Sequence, residues 1–211
     1  MRAKRRLIYV PILHTAHDMG TLAGSMKQAY IKKFGETKWD LHVRTLHEMW
    51  EAIKATVQKM KLKFKKVKVY QDGLPICKME KQIIAELAKR GSPNHQLVQW
   101  IIQQGATLVG TEDPQLLLEE YDAVKQVLNT KTHQEREKLL HELDQKNAEL
   151  LKKRDQKIST RIGLTLKPGE TGILFIGLLH RVDESLPQDI QVSYLIHRLP
   201  FRRSFEMEKV A

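Results

Sequence analysis

The chain has 211 residues, 41% hydrophobic and 29% charged, with 11 Gly and 7 Pro. Those values exclude disorder, collagen and low-complexity fibres, and the length suffices for one core without disulfides or a structural metal. Lys and Arg number 36 against 25 Asp and Glu, a net charge of +11 that suits anionic partners without identifying one.

No apolar run reaches the ~18 residues a membrane span needs. The basic start, Met1 to Arg6, is followed by a strand-like segment with a proline, so no signal peptide is expected. The single cysteine, Cys77, cannot form an internal bridge, and a reducing cytoplasm is the natural expectation. Basic residues cluster at Arg2–Arg6, Lys59–Lys68, Lys152–Lys157 and Arg198–Arg203, with only Phe64 and Phe201 interleaved. Single-strand binders supply more stacking platforms, so solvated faces around a core are the simpler reading and RNA binding is a subordinate one.

Leu7–Leu13 is a β-rich apolar run that leads into the loop His14-Thr15-Ala16-His17-Asp18. Pro11 removes a ladder donor, so the strand must bulge or lie where that donor is not needed. A helix is expected from about Thr21 to Phe34. A second follows, with Trp39, Val43, Leu46, Trp50, Ile53 and Val57 on one stripe, in steps of four and three that face a core.

Val67–Tyr70 reads as a strand ending in the turn Gln71-Asp72-Gly73. Met79, Ile83, Ile84 and Leu87 mark a helix stopped by Gly91, and Ser92-Pro93 opens the next. Ala106–Val109 is a strand ending at Gly110-Thr111-Glu112, after which Asp113 and Pro114 start a helix. From 130 to 162 the chain is highly charged, with Leu140, Leu143, Leu150 and Ile158 on one stripe. This predicts a long helix that packs on the domain with a projecting start. Gly172–Leu178 is the clearest buried strand and leads to His180, and Ile190–Leu195 supplies an edge strand.

Strands separated by helices predict a single α/β domain over 1–211, with a mainly parallel sheet of four to five strands and helices on both faces. Ligands of such folds bind beyond the C-terminal strand edge. Here that edge receives His14 and His17, Asp72, Glu112 and His180. His14, His17 and Asp72 have plain alternatives, capping for the two histidines and a turn for Asp72, whereas Glu112 and His180 have none. A carboxylate directly after a buried strand, as at Glu112, needs a partner or a cleft. His14, His17, Glu112 and His180 suit a divalent transition metal that activates water. The same groups can act without metal, one imidazole as base and a carboxyl as acid. HExxH, GxSxG and phosphate-loop motifs are absent.

The order of short motifs resembles the superfamily of erythromycin esterases, ChaN-type haem-binding lipoproteins and TraB/Tiki/GumN proteins. His14-Thr15-Ala16-His17 is similar to its opening loop, Gly110-Thr111-Glu112 to its middle motif and Arg154-Asp155 to its helix motif. Gly177-Leu178-Leu179-His180 is similar to the closing motif. His14 replaces the opening glycine or glutamate, and Gln71-Asp72 stands where a glutamate is usual. The resemblance implies hydrolytic chemistry, sometimes metal-dependent, in a cleft of His17, Glu112, Arg154 and His180, with Asp72 as a binding group. Arg154 shares a face with Leu150 and Ile158, which predicts a buried guanidinium aimed at Glu112, Asp72 or the ligand space. The leading expectation is thus a cytoplasmic hydrolase acting on a small molecule or peptide. The alternative is a non-catalytic binding or sensor protein for an anionic ligand.

Overall fold

The computed structural model describes residues 4–15, 18 and 23–196. Its five strands are β1 (Arg5–Ile12), β2 (Val67–Gln71), β3 (Thr107–Val109), β4 (Thr171–Gly177) and β5 (Ile190–Tyr194). They form one wholly parallel sheet in the order β3-β2-β4-β1-β5. Six helices accompany them: α1 (Ala23–Phe34), α2 (Glu36–Lys59), α3 (Glu80–Lys89), α4 (Pro93–Gln103), α5 (Pro114–Asn129) and α6 (His133–Thr165).

Period-two alternation sends each strand's side chains into two separate cores. Ile8, Val10, Val69, Ile173 and Phe175 face α2, α3 and α4, meeting Leu46, Trp50, Ile53, Ile84, Leu97 and Ile101. Leu7, Tyr9, Tyr70, Leu174 and Ile176 face the opposite layer, where they meet Ile158 and Ile162 of α6 and Val182. Both faces being covered, the central strands read as continuous apolar runs.

The interruption at Pro11 has a simple placement. Tyr9 turns its carbonyl toward β5, where it accepts from the Leu195 amide. Pro11, two residues on, turns its nitrogen the same way. The β1–β5 register has already ended at Tyr9–Tyr194, so no ladder bond is lost and no bulge is needed.

Two helical hairpins extend past the C-terminal strand edge. In α6 the buried residues run only from Arg154 to Ile162. The preceding part, roughly 30 Å long at 1.5 Å per residue, pairs with α5, which has no buried residue of its own. A capping box, Thr132 with Glu135, fixes the start of α6. On the other face α2 buries residues only from Leu46 onward, and α1 buries none. The expected core stripe of α2 is therefore only partly in the sheet core. Val43 is exposed, and Trp39 instead meets Tyr30 of α1 with ring centroids 5.4 Å apart.

The crossovers after β1 and β2 pass over the α2/α3/α4 face, and those after β3 and β4 over the α6 face. Central strand β4 thus leaves toward one side while both its neighbours leave toward the other. Such a divergence opens a crevice at the strand ends, where α/β folds hold ligands.

Candidate functional site

The crevice is a cavity of about 530 Å³ floored by the ends of β1, β2 and β4 and walled by the α5/α6 hairpin, with Leu87 of α3 and His95 of α4. Its floor contains His14, Asp72, Arg154 and His180. The missing side chain of Gly177 makes their convergence possible. A Cβ there would stand 3.0 Å from Asp72 Oδ2, 3.4 Å from His14 Nε2 and 3.6 Å from His180 Cδ2.

Arg154 is 4% exposed and binds three carboxylates at once. Its Nε donates to Glu112 Oε2 (2.6 Å) and its Nη2 to Glu112 Oε1 (2.9 Å), a two-pronged contact. Nη2 also donates to Asp72 Oδ1 (3.0 Å), and Nη1 donates to Glu120 Oε1 (2.5 Å). The Gly73 amide completes the shell by donating to Glu112 Oε1 at 2.7 Å. Burial works against the guanidinium's charge, but the carboxylates of Glu112, Glu120 and Asp72 outweigh it and raise the pKa further. Arg154 therefore organises the protein's own carboxylates.

Asp72 is the centre of the floor. Its Oδ2 accepts from His14 Nε2 (3.0 Å) and from the Gly177 amide (2.8 Å). His180 Nε2 lies 3.6 Å from its other oxygen, too far for a direct hydrogen bond. Burial alone would raise the Asp72 pKa, yet His14, His180 and Arg154 together hold it below the usual carboxylate range. Glu112 moves the opposite way, pushed up by burial and by the charge of Asp72 despite its contact with Arg154. Two carboxyls driven apart in this way can divide acid and base duties.

His180 is positioned from behind. Its Nδ1 donates to Asp155 Oδ1 at 2.6 Å, and Asp155 Oδ2 accepts from the Arg181 amide at 2.9 Å. The proton is thereby held on Nδ1, and Nε2 faces the cavity side as the basic nitrogen. Burial lowers the His180 pKa, but Asp155 and Asp72 overcome this, so it lies above its ordinary value of 6.5. His14 is raised likewise, the pull of Asp72 exceeding the effect of burial.

A third imidazole–carboxylate pair lies on the opposite wall. Ser92 caps α4, and its hydroxyl donates to Asp18 Oδ1 at 2.5 Å. His95 Nδ1 lies 2.7 Å from Ser92 Oγ and 3.2 Å from Asp18 Oδ1. The only hydroxyl hydrogen of Ser92 goes to Asp18, so His95 must be the donor through Nδ1. Asp18 also accepts from the amide and hydroxyl of Thr15 (2.6 and 2.9 Å).

Of the residues singled out from the sequence, the fold brings together His14, Asp72, Glu112, Arg154 and His180. His17 lies outside the described residues, as does the basic cluster Arg198–Arg203. The described residues do not fit a metal site: Glu112 is occupied by Arg154 and Gly73, and the Nδ1 of His180 is held by Asp155. Among them no three His, Cys, Asp or Glu side chains converge so as to hold an ion. Cys77 is exposed and away from the cavity.

Asp18, His95 and Glu120 are the parts that residue patterns did not single out, and Asp155 entered only as half of the Arg154-Asp155 motif, with no role. Asp155 carries a faint signal as the neighbour of a buried arginine on the same helix. Ser92-Pro93 correctly marks a helix start, but nothing in that signal says that His95, three residues on, faces a cavity. No protein-family model matches the chain, and no curated protein or solved structure does.

Proposed function

We propose that the cleft is the active centre of a cytoplasmic hydrolase of the esterase/TraB-like kind that works by general acid–base chemistry. The observation that carries this reading is the Asp155–His180 pair, with a fixed Nδ1–H and its basic Nε2 on the cavity side. In the reaction Nε2 takes a proton from water as the oxygen adds to the substrate's carbonyl carbon. Asp155 stabilises the imidazolium, which then returns the proton to the leaving group as the scissile bond breaks. Arg154 acts as a positioning residue that holds Asp72 and Glu112 beside this path. Among the described residues His180 pairs with Asp155 and lies near Asp72, with no serine, threonine or cysteine beside it, and the reading takes water as the attacking group.

The test is a panel of p-nitrophenyl esters, lactones and short peptides offered to wild type and His180→Asn. The reading expects turnover of at least one class by wild type and its loss in the variant. Turnover that survives His180→Asn contradicts it.

A further inference from the structure

We infer that this cleft takes an amphipathic ligand whose polar end is a positively charged hydrogen-bond donor, an ammonium or amine, and not an anion. The inference rests on the cleft being the functional site, but not on its chemistry being hydrolysis.

One line of support is the charge within and just behind the cavity wall. Five carboxylates (Asp18, Asp72, Glu112, Glu120 and Asp155) face one guanidinium and the imidazoles of His14, His95 and His180. With every imidazole protonated and every carboxyl ionised the set is still negative by one. A proton on Glu112 brings it only to neutrality. No protonation state of the imidazoles gives this set a net positive charge while its carboxyls are ionised, although the chain as a whole carries +11. The excess positive charge lies elsewhere.

The other line is the inventory of open positions. Four of the five N–H groups of Arg154 are directed at Glu112, Glu120 and Asp72. The hydroxyl hydrogens of Ser92 and Thr15 go to Asp18. Among the described residues no group takes up Nε2 of His95, a residue only 5% exposed that lines the cavity. With Nδ1–H committed to the Ser92–Asp18 pair, this nitrogen presents a lone pair to the cavity in the neutral ring. Glu120 gives one oxygen to Arg154, and its side chain is 47% exposed at the cavity wall. With the rings of His95 and His180 neutral, what remains open is thus weighted toward acceptors, which call for a donor on the ligand.

Apart from Tyr121 and the backbone of Gly73 and Gly177, the rest of the wall is apolar. Leu13, Leu87, Leu117, Val124, Leu151 and Leu179 surround the polar floor, so the ligand's body is hydrocarbon.

The test is calorimetric titration of the full chain with phenethylammonium, phenethyl alcohol and hydrocinnamate, three probes of similar size differing in charge. The ammonium should bind at least about tenfold more tightly than the carboxylate. Glu120→Gln should weaken the ammonium about threefold and leave the alcohol unchanged. Hydrocinnamate binding as well as the ammonium, a Glu120→Gln protein with unaltered affinities, or no binding by any probe overturns the inference. Ammonium binding without hydrolysis of any panel substrate supports it while overturning the hydrolase reading. Hydrolysis that favours anionic substrates does the reverse.

Discussion

Arg154 and Glu112 meet side-on, Nε to Oε2 at 2.6 Å and Nη2 to Oε1 at 2.9 Å, with both side chains almost wholly withdrawn from solvent. They come from α6 and the β3–α5 turn, 42 positions apart in sequence. This contact ties the long helix to the strand edge. Removing one partner of such a pair strands the other as a buried charge. Arg154→Met should therefore lose about 3–5 kcal/mol of unfolding free energy. Arg154→Lys keeps the charge but not the fork and should lose about 1–3 kcal/mol. Adding Glu112→Gln to Arg154→Met should recover part of the loss. Urea denaturation of the three variants measures this, and equal stability of Arg154→Lys and wild type would refute the role of the planar contact.

Gly177→Ala isolates function from folding. Gly177 has ordinary backbone torsion, so alanine is tolerated by the chain itself, and the strain falls on Asp72, His14 and His180. Turnover should fall at least about tenfold, since displacements of well under 1 Å misalign reacting groups. The melting temperature should drop by only a few degrees, on the order of 1 kcal/mol. Gly172→Ala is the structural control, because its Cβ would meet Leu7 Cδ1 at 2.6 Å within the core. It should destabilise by about 1–3 kcal/mol.

Stability should depend on pH on both flanks. His14 and His180 have pKa values raised above the ordinary 6.5. Their contribution is complete below that value and is lost as pH rises through the folded values. Asp72 is depressed from its ordinary 3.8, so its contribution is present above that value and lost as pH falls through the folded one. These three groups favour the range between about pH 4 and 6.5, and Glu112, raised above its ordinary 4.5, adds a decline as pH rises through its folded value. In urea titrations His14→Gln should flatten the alkaline flank. A stability that rises steadily from pH 6 to 9 would contradict the assignment.

Much of the architecture was legible because parallel strands covered on both faces must be apolar throughout, as Leu7–Ile12 and Ile173–Ile176 are. Punctuation by Ser92-Pro93 and Asp113-Pro114 marked two helix starts, and both side chains cap as expected. The four-residue steps from Leu150 to Arg154 to Ile158 likewise fixed the phase of α6. Periodicity could not reveal where a stripe stops meeting the sheet. Trp39 and Val43 continue the α2 pattern, but the sheet ends below them and α1 takes its place. The site was legible where a residue comes within three positions of a strand's end, as His14, Asp72, Glu112 and His180 do, and at Arg154 through the phase of α6. Asp18 and His95 reach the cavity from a loop and a helix, through tertiary contacts that leave no local pattern.

The most direct measurement is the pH profile of kcat/KM for Asp155→Asn beside wild type, on whichever substrate the panel yields. Asp155 keeps the His180 proton on Nδ1 and raises the pKa of the ring. Wild type should therefore show a rising limb displaced above pH 6.5, as the imidazole loses its proton and becomes the base. In Asp155→Asn that limb should move to lower pH, and the plateau should fall by roughly two to four orders of magnitude. A plateau within about threefold of wild type, with an unmoved limb, would show that His180 is not the base the cleft is built around.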